Sequence, residues 1–212
     1  MSVSRPTLLL FALLGLVACA QLPQPATPAP EGWVSILGND PGFALSDSAE
    51  ARERGWSSDN AKGFSVLPSG GVRVATGQAA SLRRDVDVLL LSTPYLTWRW
   101  KLDPGPIQSY APLHLAIGFK TGLAERRLIV GWGGAGDATG RLERQGQAAF
   151  FTAQTGESDG NWREATLDIS ELHRLAWPDI NTLKTRVTYV AVFTPGQQGG
   201  PAGDIERLML TR

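Results

Sequence analysis

The chain has 212 residues, 42% hydrophobic and 19% charged, enough apolar content to bury an ordinary core, which excludes intrinsic disorder for most of its length. Twenty Lys and Arg balance 20 Asp and Glu with no basic run, so the clustered cations that neutralise phosphates are missing; nucleic acid and a polybasic membrane surface are excluded as partners. The 24 Gly, 14 Pro and 7 Trp, many turns and many aromatics, point to a β-sandwich.

Residues 1–6 are polar with one positive charge, Arg5, and residues 7–17 carry none, the n-region and h-region of a signal peptide. Such a run reaches only about 16 Å as a helix, roughly half the hydrocarbon core of a bilayer, and is too short to span it. Leu16-Val17-Ala18-Cys19 resembles the lipobox of bacterial lipoproteins. That resemblance implies removal of residues 1–18 and attachment of a diacylglyceryl group to Cys19, the only cysteine and so without an internal disulfide partner. Two or more acyl chains anchor stably, each buried methylene contributing about 0.8 kcal/mol. Ala20 after the cysteine, where an Asp would retain the protein, implies the outer membrane, facing the periplasm. Residues 19–31 hold Pro23, Pro25, Pro28 and Pro30 and read as a semi-rigid lipidated tether. Residues 32–212 are the length of one domain.

Within that domain the apolar period is mostly two. Residues 33–37 form a short candidate strand closed by the turn Asn39-Asp-Pro-Gly42, and a single helical turn fits around Glu50–Arg54. A hairpin follows, 63–67 and 72–76 about the turn 68–71, then a strand at 80–86. In 95–102, alternation puts Leu96, Trp98, Trp100 and Leu102 on one face and Tyr95, Thr97, Arg99 and Lys101 on the other. Leu113, Leu115, Ile117 and Phe119 share a face of the next strand; further strands are expected at 126–132, 148–154, 162–167, 186–193 and 205–210. One short helix is expected, capped by Asp168 with Glu171 at capping-box spacing, apolar at Leu172, Leu175 and Ala176, and stopped by Pro178. The expected fold is all-β, an antiparallel jelly-roll-like β-sandwich with one short helix.

Four motifs, Ala80-Ser81-Leu82, Pro94-Tyr-Leu-Thr-Trp-Arg-Trp100, Trp162-Arg-Glu-Ala165 and Gly203-Asp-Ile205, occur in this order. From about Gly71 onward the chain thereby resembles the domain of unknown function 3047, a bacterial family. The family often has paired aspartates where this chain reads Ser109-Tyr-Ala-Pro112, and acids where it reads Thr194-Pro-Gly-Gln-Gln-Gly199. The resemblance implies fold and compartment more than activity.

Trp98 and Trp100 are assigned to the core, leaving Arg99 and Lys101 as candidates for a polar ligand-binding surface. His114, on the polar side of its strand, can serve as a ligand contact or a general base, and Trp132 stands exposed at the base of a long hairpin loop, 133–140. His173 is read as solvent-facing. The acids Glu157 with Asp159 and Glu164 with Asp168 are explained by loop solvation and capping rather than glycoside hydrolysis. The loop 131–140 lacks the Lys and following helix of a phosphate loop, and Asp137 and Asp204 are the acids available to a calcium ion. No cofactor is expected, since two separated histidines and one lipidated cysteine form no zinc set.

The leading reading is a non-catalytic envelope lipoprotein binding a carbohydrate or other envelope component. A polysaccharide-acting enzyme using His114 and Arg99 is the alternative, and docking to an envelope protein the third. Convergence of Arg99, His114 and Trp132 on one pocket favours a ligand site, and scatter favours docking.

Overall fold

The computed structural model describes residues 25–26, 32–38, 41–46, 48–75, 77–107, 110–196 and 200–212. The expected signal segment, Cys19, most of the tether, the turn residues Asn39 and Asp40, Ser109 and residues 197–199 lie outside them. Within the tether, Ala26 forms a parallel bridge to Val86 and donates its N–H to the Asp85 carbonyl at 2.9 Å, so one point of the expected spacer rests on the domain.

The described strands form two sheets. In one, β11 (Arg163–Asp168), β6 (Tyr95–Leu102), β13 (Gly203–Thr211), β4 (Val72–Val74) and β3 (Phe64–Val66) lie side by side, and β1 (Val34–Ser35) pairs with the far end of β13. The other has the order β2 (Trp56–Asp59), β5 (Ala79–Leu89), β12 (Arg186–Pro195), β7 (Tyr110–Thr121), β8 (Ala124–Gly133), β10 (Ala148–Thr155) and β9 (Leu142–Gln145). The chain is thus the all-β sandwich its pattern predicts. One pairing departs from the antiparallel rule, because β10 runs parallel to β8. The cause is β9, too polar to read as a strand: it takes the sheet edge and turns through Gly146 (φ 63°) into β10, which fills the space beside β8. The stretch 133–140 is therefore a crossing connection, not a hairpin loop.

Alternation decides the core. Leu96, Trp98, Trp100 and Leu102 from β6 face Leu113, Leu115, Ile117 and Phe119 from β7, all at most 1% exposed. Trp98 meets Trp100 edge-on at 5.3 Å, and Trp100 meets Trp132 across the sandwich at 5.7 Å.

The helix α3 spans Ile169–Ala176, with the Asp168 carboxylate accepting from the Glu171 N–H at 2.9 Å. Glu171 turns outward to Arg174 instead of reaching back, so only half of the capping box forms. The buried stripe is Ile169, Leu172, His173 and Ala176, while Leu175 is 54% exposed. His173, expected in solvent, is 0% exposed between Phe119 and Trp177. The correction follows from the helix starting at Ile169, whose i, i+3, i+4, i+7 series selects His173 rather than Leu175. Single-turn helices α1 (Pro41–Ala44) and α2 (Ala49–Glu53), the latter capped by Ser48, precede β2.

Candidate functional site

The four candidate side chains fall in three layers. Arg99 and Lys101 lie on the outer face of the six-stranded sheet, inside a lattice of ion pairs. Arg99 meets Glu206 at 2.9 Å and Lys101 meets Asp204 at 3.2 Å; Arg73 bridges Asp204, at 2.9 Å, and Asp103. Both cations also sit over the Trp162 ring, at 4.9 and 5.0 Å. Arg73 is raised above its ordinary range, its pairing with Asp103 and Asp204 outweighing burial. Trp132 is not exposed at a loop base. It is 1% exposed in the core, with its indole N–H donating to the Gly156 carbonyl at 3.1 Å, because β8 carries Leu128, Val130 and Trp132 inward before the glycine-rich connection begins. His114 points outward from the seven-stranded sheet yet is only 7% exposed, stacked on Phe193 at 5.2 Å. The enzyme pairing of His114 with Arg99 places its two members on opposite outer faces.

A hollow of about 780 Å³ lies on the six-stranded side between Trp33, the β3–β4 turn, Arg99 and Arg207. Four adjoining depressions cover the outer face of the other sheet. The larger three are about 300, 390 and 410 Å³, and each of His114, Ile129, Arg127, Gln145, Tyr189 and Phe193 borders at least two of the four. Together they form a groove crossing β12, β7, β8 and β10.

The floor of this groove is thin by sequence. Outward positions of its central strands are Ala116 and Gly118 on β7, Gly131 on β8 and Ala191 on β12. Rings occupy the space the missing side chains leave. A Cβ on Gly118 would stand 2.1 Å from the Tyr189 ring, and one on Gly131 would stand 2.8 Å from the His114 imidazole. Tyr189, Phe193 and Phe150 are half-buried, each offering a ring edge or face to the groove. Arg83 lies 4.2 Å over Tyr189 while pairing with Asp85 at 2.7 Å. At the β9 end Glu143 pairs with Arg141, which also approaches Asp137 at 3.8 Å.

Sequence reasoning reached His114 and missed Tyr189, Phe193, Phe150 and Arg127. A strict period of two puts Val187, Tyr189, Ala191 and Phe193 on one face. A bulge at Thr188 sends Val187 inward and leaves the other three outward. The groove's floor of small residues gave no apolar signal, although small outward residues on neighbouring strands are the trace such a floor leaves.

The remaining candidates have structural duties. Asp159 accepts from the Asn161 N–H and pairs with Arg163, contacts that hold it below the usual carboxylate range, the Asn161 bonds most of all. Asp168 caps α3, and Glu164 stands exposed on β11. Asp137 accepts from the Gly134 N–H at 2.9 Å, and Asp204 is occupied by two cations. Among the described residues no three His, Cys, Asp or Glu gather as a metal set, and no helix is long and apolar enough to cross a membrane.

No family model matches the chain, and no curated protein matches it. Solved structures are similar in fold. A family 12 xyloglucanase from Bacillus licheniformis is 10% identical over 90% of this chain and 97% of its own, with a TM-score of 0.41. A family 11 carbohydrate-binding module from Clostridium thermocellum, in complex with a mixed-linked tetrasaccharide, is 10% identical over 74% and 89%, with a TM-score of 0.40. An endoglucanase from Rhodothermus marinus is 11% identical over 70% and 85%, with a TM-score of 0.45.

Proposed function

We propose that this chain is an envelope lipoprotein, anchored through Cys19 and facing the periplasm, whose sandwich binds a glycan or related envelope component without cleaving it. The supporting observation is the groove on the seven-stranded sheet. Arg99, His114 and Trp132 scatter over three layers, which by itself favours docking. The groove restores a ligand reading on other residues: partly exposed Tyr189, Phe193 and Phe150 above a floor of Gly118, Gly131, Ala116 and Ala191. An extended chain of rings can lie along such a floor, its apolar faces on aromatic side chains and its hydroxyls toward Gln145, Glu143 and Asp59. On the opposite face the hydrogen-bonding groups already engage each other.

Isothermal titration of the domain against a panel of envelope and cell-wall glycans tests this. Tryptophan emission separates the faces, because the groove is lined by Tyr and Phe, whereas Trp33 and Trp162 lie on the six-stranded side. Heat of binding with unchanged tryptophan emission is expected. Binding accompanied by strong quenching assigns the ligand to the other face, and silence across the panel favours protein docking. For the anchor, detergent-phase partitioning of the full chain that is lost in Cys19→Ser is expected; partitioning that survives refutes acylation there.

A further inference from the structure

The groove carries an uneven charge at its centre. Arg127 stands outward from the middle of β8, with Gly118 opposite it on β7 and Ala148 opposite it on β10, so small residues flank its base on both sides. It borders two of the depressions together with Tyr189. Among the described residues no carboxylate lies within ion-pairing distance of its guanidinium. Asp85 takes Arg83 and Glu143 takes Arg141, while Glu125 and Asp59 border the same depressions as Arg127 without coming within ion-pairing distance of it. Two guanidinium groups thus line the depression that holds Tyr189, Arg83 over the ring itself, and of the two only Arg83 has an ion-pair partner among the described residues.

A neutral glycan offers the Arg127 guanidinium hydroxyl acceptors but no opposite charge. A guanidinium presents its donors as a planar fork that matches a carboxylate in two parallel hydrogen bonds. We propose that the groove selects an acidic glycan, a chain bearing uronate carboxylates, with Arg127 holding a carboxylate and Tyr189 packing on the sugar ring beside it. This rests on the glycan-binding reading of the groove and adds the substrate class to it.

The test uses purified full-length chain with polygalacturonate, alginate and hyaluronate, each beside its carboxyl-reduced neutral counterpart. The expected result is at least about tenfold tighter binding of one or more acidic polymers than of the matching neutral one, the size of a hydrogen bond to a charged partner. That preference should shrink as salt rises. Arg127→Gln, an exposed substitution whose melting temperature should match the parent, removes the preference by weakening the acidic polymer about tenfold more than its neutral counterpart; Phe193→Ala weakens both polymers alike. Equal affinity for acidic and neutral chains overturns the inference while the groove reading stands. A preference that survives Arg127→Gln overturns the role of Arg127. Failure to bind any polymer of either kind overturns both.

Discussion

On the outer face of the six-stranded sheet Asp204 and Glu206, 3% and 7% exposed, are covered by Arg73, Lys101 and Arg99, and Trp162 lies under two of those cations. The seven-stranded sheet instead presents rings on glycines and an arginine with no carboxylate in ion-pairing distance among the described residues. Both faces descend from the same alternation of inward and outward residues, so the pattern that builds the core says nothing about which face is closed and which is open. What differs is side-chain size: long charged residues reach across strands and satisfy one another, while Gly and Ala cannot, and leave a channel.

The largest predicted effect tests whether the open sheet relies on apolar packing at its end. His173 lies between Phe119 of β7 and Trp177, and neither ring nitrogen has a hydrogen-bond partner among the described residues. Burial first, and the charge of Arg126 second, push its pKa down to about 4. The unfolded chain takes up a proton near the ordinary value of about 6.5 and the folded chain does not, so stability is full above that pH and falls as pH drops toward 4. The loss expected over this window is on the order of 3 kcal/mol. Urea titrations at pH 7.5 and 4.5 measure it, and His173→Leu should flatten the slope; an unchanged slope refutes the assignment.

Breaking the closed face comes next. Asp204→Ala strips the shared carboxylate from Arg73 and Lys101. Those cations are 35% and 30% exposed, so water screens part of the cost, and about 2 kcal/mol is expected rather than the full penalty of a stranded buried charge. Glycan affinity should not move. If it does, the two faces are coupled and the contrast between them fails.

Phe193→Ala is the converse substitution. Phe193 is half-buried and stacked on His114, so its loss should cost only about 1 kcal/mol of stability, well below a fully buried aromatic. Binding should weaken by about tenfold, as the lost ring withdraws on the order of 1.5 kcal/mol of apolar contact from the ligand. Thermal melts and titration on one preparation separate the two effects.

Much of the core was legible because β6 and β7 alternate without interruption, so Trp98, Trp100, Leu115 and Phe119 could be placed by parity. The Asp168 cap was legible because one residue and its neighbour three positions on suffice to signal it. Trp132 and His173 were misjudged where an element's boundary, not its type, decided the outcome. The groove was illegible for a different reason. Its rings come from β10 and β12, far apart in sequence, and meet only because β10 enters the sheet in parallel beside β8, a pairing that no local pattern announces.

The smallest prediction concerns a similar hidden irregularity on the closed face. In β13, Ile205, Leu208 and Leu210 are all fully buried, a spacing that alternation forbids unless one residue is added. Arg207 is that residue: the pairing with β6 shifts between Glu206 and Met209, and Arg207 takes φ 53°, the left-handed conformation that glycine adopts at such bulges. The bulge keeps Leu208 in the core and sends the Arg207 side chain to the rim of the large hollow. Arg207→Gly relieves the Cβ strain but gives the unfolded chain more freedom, so the two effects oppose each other. Strain of about 1–2 kcal/mol against roughly 1 kcal/mol of added unfolded-state entropy leaves a gain of about 0.5 kcal/mol, with glycan affinity unchanged. A matched pair of denaturation curves with Arg207→Ala, which keeps the strain and removes the side chain, isolates the backbone contribution. If glycine proves no more stable than alanine, the bulge is held by the packing of Leu208 rather than opposed by the conformation of Arg207.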